Sequence, residues 1–224
     1  MNERYERNIG AISQAEQELL AGKRVFIAGC GGLGCYVAEF LVRLGLGHIS
    51  IIDSDVFTAS NLNRQLFSLE TNLGKSKTRE AKKRLLEIRP DLSIDTHDLY
   101  LNDENSASLL RGHDIIIDAL DNIKTRLLIE KTASDLGIPL VHGAVEGWNA
   151  QVTVVYPGDF SLSKFYPPDR EFERPSVLSF SPALCASIQA AEALKVLLDR
   201  ENFLRRKLLT ADLVNNSFEI IDLA

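Results

Sequence analysis

Four glycines, Gly29, Gly31, Gly32 and Gly34, punctuate the stretch GCGGLG, and Asp53 follows 19 residues after the last of them. Glycines let a backbone come close to phosphate, and the first turn of a helix offers unpaired N–H donors and a partial positive charge. An aspartate at that distance can take a ribose hydroxyl. Further on come Asn61, Arg64 and Gln65 in NLNRQ, Lys77 in GKSK, and Asp121-Asn122 in DALDN. A glycine loop and a distant aspartate also suit a nicotinamide dehydrogenase. Hydride transfer, however, has no need of an arginine and amides beside the phosphates. An enzyme that cuts between the α- and β-phosphates does, because charge builds on those oxygens in the transition state. Lys77 sits at the unfavourable end of its helix dipole, which a nearby anion would offset. Asp121 can hold Mg²⁺ through one or two oxygens and waters.

Each group also has a plainer reading. Arg64 is then a solvated loop cation, Lys77 one of several helix-surface lysines, and Asp121 the cap of the next helix. The glycines become a turn between buried elements.

The elements that must position these residues follow from periodicity. Val25 to Ala28 and Ile49 to Ile52 are apolar runs on either side of an amphipathic segment carrying Val37, Leu41 and Leu44, hence strand, helix, strand. Ser13 and Glu16 form a capping box for a short helix to Leu20, stopped at Gly22. Gly74 to Arg89 is a basic helix with Ala81, Leu85 and Ile88 inward, ended by Pro90. Leu92 to Thr96 is a strand, Asp103 to Leu110 a helix, and Asp114 to Leu120 a buried parallel strand. Asn122 to Leu136 is a helix and Ile138 to Val141 a strand. Gln151 to Tyr156 alternates as an antiparallel strand does. The stretch 157–176 is proline-rich and structureless. Ser181 caps a helix with Pro182 at its first position, running to about Asp199. Lys207 to Val214 and Phe218 to Leu223 make a hairpin. The fold class is α/β, a Rossmann-like doubly wound sheet extended by antiparallel C-terminal strands, in one domain over 1–224 with an N-terminal arm and helix at 1–22.

Composition narrows the function. A net charge of -6 disfavours nucleic acid and anionic membrane as partners. No apolar run approaches a membrane span, and the charged start MNERYERNIG is no secretory signal, so the cytosol is the expected compartment. The three cysteines, Cys30, Cys35 and Cys185, form no C-x-x-C pair, which argues against zinc and against a disulfide framework.

Taken together, RYERNIG, GCGGLG, DSD at Asp53 to Asp55, SNLNRQ, GKSK, DALDN, GAVEGWNAQVTV and KLLTADLVNNSFEIIDL resemble the MoeB/ThiF/HesA family of ubiquitin-like-protein activating enzymes. The resemblance covers almost the whole chain. It implies binding of ATP and Mg²⁺ and attack on the α-phosphate by the C-terminal carboxylate of a ubiquitin-like sulfur-carrier protein ending in Gly-Gly. An acyl-adenylate forms and pyrophosphate leaves. It further implies that Asp53 holds the ribose, while Asn61, Arg64 and Lys77 bind the phosphates. Asp121 holds Mg²⁺. Gly29, Gly31, Gly32, Gly34, Asp55, Gln65 and Asn122 complete the nucleotide site. Arg7, on the arm, reaches the partner subunit's site in a twofold homodimer.

Two departures stand out. Where many bacterial relatives of this kind carry zinc-binding C-x-x-C pairs, this chain has GDFSLSKFYPPD. Where several carry a crossover-loop cysteine, it has FERPSVLSF. Adenylation without an enzyme-bound thioester is the expectation, with Cys35 and Cys185 as packing residues. His142 reads as a satisfied strand-end histidine, and Trp148 as a loop aromatic. The rivals are an inactive partner subunit of the same fold and a superfamily enzyme activating a peptide or tRNA carboxylate or carbonyl.

Overall fold

The apolar runs pair into one eight-stranded sheet, and the computed structural model describes residues 3–167 and 176–223. In chain order the elements are α1 (Gln14–Ala21), β1 (Arg24–Ala28), α2 (Gly32–Leu44), β2 (His48–Ile52), α3 (Lys77–Ile88), β3 (Ser93–His97), α4 (Ser106–Leu110) and β4 (Ile115–Asp118). They continue with α5 (Ile123–Leu136), β5 (Leu140–Glu146), β6 (Asn149–Val155), α6 (Ser161–Phe165), α7 (Phe180–Leu197), β7 (Lys207–Asp212) and β8 (Ser217–Asp222). The sheet order is β3-β2-β1-β4-β5-β6-β7-β8. The first five strands in that order are parallel, and β6 to β8 join antiparallel.

Both faces of the parallel part are covered. Val25 and Ile27 of β1 pack with residues of α2, α3 and α7, while Phe26 and Ala28 face the other way, toward α4 and α5. Double coverage is why these strands read as continuous apolar runs without alternation. The strand order reverses between β1 and β4, and the crevice outside the carboxyl ends of such strands is where ligands bind in open α/β sheets.

Ser13 caps α1 with the full capping box, and Gly137 closes α5 in the left-handed conformation. Several boundaries differ from expectation. The basic helix starts at Lys77 rather than Gly74, since Ser76 caps it by accepting from Arg79 N. The helix after Asp103 begins only at Ser106, because Asn102 and Asn105 cap a turn there. β5 runs on to Glu146, so His142 lies inside the strand. Helix α7 begins at Phe180, and Ser181 bonds back to the carbonyls of Gly147 and Leu178 instead of capping it. The proline-rich stretch contains α6, whose Leu162 and Ser163 N–H groups are held by the Glu130 carboxylate. Positions 168–175 of that stretch fall outside the described residues. The polar arm is a 3₁₀ turn over Glu3–Asn8 with Tyr5 buried. Among the described residues, no helix is long and apolar enough to cross a membrane.

Candidate active site

The glycine loop is built where β1 meets β4. Gly29 has φ of 97°, and a Cβ there would lie 2.7 Å from the carbonyl oxygen of Ala119. A Cβ on Gly34 would collide with the Gly29 carbonyl, so α2 starts pressed against the end of β1. The loop opens into a cleft of about 1400 Å³ that runs along the carboxyl edge of the sheet to the β7–β8 hairpin.

Asp53, at the end of β2, ties this loop down. Its Oδ2 accepts from Cys30 N at 2.8 Å and its Oδ1 from Asp55 N at 2.9 Å. Burial raises its pKa, opposed by the nearby Lys77 ammonium. Lys77 is 5% exposed, with Nζ 2.8 Å from Asp55 Oδ2 and 3.7 Å from Asp53 Oδ1. Burial pulls its pKa down, but the two carboxylates outweigh that and raise it, so the ammonium stays charged. The anions that offset its place at the helix N-terminus are therefore side chains of this chain.

The loop after β2 brings in the rest. Asn61 is buried, and its side chain accepts from Thr58 N, holding a 3₁₀ turn over Ala59–Asn61. That turn sets Arg64 against the glycine loop: a Cβ on Gly32 would lie 3.7 Å from Arg64 Cγ. The guanidinium donates to the Ser60 carbonyl at 2.8 Å and to Asn63 Oδ1 at 2.9 Å. Gln65 is buried beside Gly31, and its Oε1 has no hydrogen-bond partner among the described residues. A buried acceptor left unpaired costs free energy, and a ligand that donates to it would remove that cost.

The cleft brings together Gly29, Gly31, Gly32, Asp53, Asp55, Asn61, Arg64, Gln65, Lys77, Asp121 and Asn122. Gly34 lies behind it as a packing contact. Asp121 is exposed on the rim, and the cap of α5 is Asn122, which accepts from Thr125 N at 2.9 Å. Asp121 is thus relieved of the capping role. Arg7 is exposed on the arm and does not line this cleft.

Sequence reasoning did not assign a buried group on the cleft floor. Tyr166, Arg126 and Gln151, which line the cleft, form one hydrogen-bonded cluster with His142 and Asp118 behind them. The five are scattered over 49 positions, and only the parallel pairing of Asp118 with His142 brings the first two together. The thiols are packed: Cys30 and Cys35 lie 3.9 Å apart, and the pKa of Cys30 is raised by its contact with Cys35 and by burial. Burial pushes Cys185 up to about 12.

Residues 5–224 match the ThiF family. The chain belongs to the ThiF family. Among its relatives, the sulfur carrier protein adenylyltransferase of Thermus thermophilus is 34% identical over 96% of this chain and 85% of that protein. The SAMP-activating enzyme E1 of Haloferax volcanii is 31% identical over 98% of this chain and 84% of that protein. E. coli MccB, solved with ATP, shares the fold with a TM-score of 0.87 at 23% identity, over 100% of this chain and 72% of that chain. The glycine loop and NLNRQ segment of this ThiF-family chain thus sit on the carboxyl edge of a sheet that it shares with MccB.

Proposed function

We propose that this ThiF-family chain is an adenylyltransferase that uses ATP to activate the C-terminal carboxylate of a ubiquitin-like sulfur-carrier protein. The named relatives support the activity. The observation that carries the reading is that Arg64 and Asp121, from two loops, and Lys77, from the first turn of α3, converge on one cleft with the glycine loop.

A carboxylate oxygen of the carrier's terminal glycine forms a bond to the α-phosphorus. The bond from that phosphorus to the α–β bridging oxygen breaks, and pyrophosphate carries off the electron pair. Asp53 is placed to take the ribose, Asn61 and the loop N–H groups the phosphates, and Gln65 a hydrogen-bond donor of the nucleotide. Arg64 and Lys77 neutralise charge on the departing oxygens. Asp121 suits Mg²⁺, which prefers one or two carboxylates together with substrate phosphates. When bound, the ion would add charge neutralisation at the leaving group. Asp55 releases Lys77 to phosphate as the nucleotide enters. We read the whole chain as a single adenylation domain working in the cytoplasm as a homodimer, with Arg7 completing the partner subunit's site.

Carrier-dependent ATP–pyrophosphate exchange tests this. Arg64→Ala should lower the rate by about two to three powers of ten, the usual cost of removing one such group from a desolvated site. Near-normal exchange in a folded Arg64→Ala protein would refute the assignment.

A further inference from the structure

The cleft-floor cluster has a fixed direction. Asp118 is fully buried at the end of β4, and its Oδ2 lies 2.6 Å from His142 Nδ1. His142 is fully buried, and burial lowers its pKa, opposed by Asp118; with Nδ1 against the Asp118 oxygen, the neutral ring carries its proton on Nδ1. Nε2 is then an acceptor, and the Tyr166 hydroxyl, 3.1 Å away, donates to it. With its proton committed, the phenol oxygen must accept from its other partners. Arg126 Nη1 donates to it at 3.1 Å and Gln151 Nε2 at 2.5 Å. An amide that must present nitrogen to Tyr166 presents its oxygen the other way. Gln151 is half-buried and lines the cleft.

Gln151 occupies the middle of a cross-strand row, Ala144–Gln151–Thr210–Glu219, all four of which line the cleft. Arg126 also donates to the Leu120 carbonyl, next to the backbone that Gly29 packs against. The cluster therefore joins the nucleotide half of the cleft to the half floored by antiparallel strands.

We propose that His142 and Tyr166 are positioning residues that lock the Gln151 amide with its oxygen toward the cleft, where it accepts a backbone N–H from the terminal Gly-Gly of the acyl substrate. This rests on the adenylation reading. The chain of donors runs from Gln151 and Arg126 to Tyr166, from Tyr166 to His142, and from His142 to Asp118. Removing the phenol hydroxyl leaves the amide free to turn its NH₂ outward, where it repels the substrate N–H.

The test uses the full-length protein with purified ubiquitin-fold carriers ending in Gly-Gly from the same genome. Tyr166→Phe should raise the carrier KM about tenfold, the worth of one hydrogen bond, with kcat and the directly measured ATP affinity within about twofold. Gln151→Leu should do the same, and the double variant should cost no more than either single one, because both remove one interaction. His142→Gln, which can donate to Asp118 and accept from Tyr166, should keep the carrier KM close to wild type. A Tyr166→Phe protein with lowered Tm and unchanged carrier KM would overturn the proposal, as would additive effects in the double variant. Wild-type protein inert toward every such carrier would instead overturn the adenylation reading, and the tail assignment with it.

Discussion

Lys77 shows how the site stores electrostatic tension at the level of single residues. Its ammonium is buried between Asp53 and Asp55, and Asp53 is itself pushed toward its neutral form by burial. Lys77→Ala leaves Asp53 with less compensation. We expect a stability loss of about 1–3 kcal/mol in urea titration, below the full cost of breaking a buried pair because Asp55 is exposed to water. Carrier-dependent exchange should fall together with it, and a variant that keeps full exchange would exclude Lys77 from the chemistry. At this scale the sequence was informative wherever a residue type is unusual for its position. Arg64 and Lys77 stood out as cations beside a phosphate-binding turn. Tyr166 did not, lying in a proline-rich stretch without periodicity, and Arg126 looked like one more polar residue of a helix. Their meaning comes from contacts 15 to 40 positions away, which no local pattern encodes.

Helix α2 and its strand are coupled through Gly34 at the level of elements. A methyl there would overlap the Gly29 carbonyl, so Gly34→Ala must move the helix off β1. Overpacking of this kind costs about 1–3 kcal/mol. The displaced helix N-terminus should also weaken ATP binding, measured by calorimetry; unchanged affinity would mean that helix and loop move independently. Element types were legible because their causes are local: two-faced burial for the parallel strands, Ser13 with Glu16 for α1, Gly137 for the end of α5. Some boundaries shifted to a nearby cap, as at Ser76 and Asn105, and others where a side chain found a distant partner. Ser181 followed by Pro182 has the look of a helix start, yet its hydroxyl serves the Gly147 carbonyl across the fold. Helix α6 was hidden because its first N–H groups are satisfied by Glu130, 32 and 33 residues earlier.

Histidine burial sets the acid response of the molecule as a whole. His48, His113 and His142 all have pKa values lowered by burial. The unfolded chain takes up these protons near pH 6.5 while the folded chain refuses them. Stability is therefore complete above that pH and declines below it, by up to about 1.4 kcal/mol per pH unit for each histidine. Asp53 and Glu130, raised by burial, oppose the decline only in the more acidic carboxylate range. Urea midpoints at pH 7.5 and 5.5 should show the loss, and a flat profile would contradict it.

The change from parallel to antiparallel pairing between β5 and β6 comes after the crossovers that assemble the nucleotide half. On the proposed reading, the strands that meet the acyl partner are thus added along one edge of the parallel sheet, with α7, between β6 and β7, packing back onto that sheet. Such an attachment can diverge strand by strand without reopening the crossovers, so one ATP-using chassis can be retooled for new cargo.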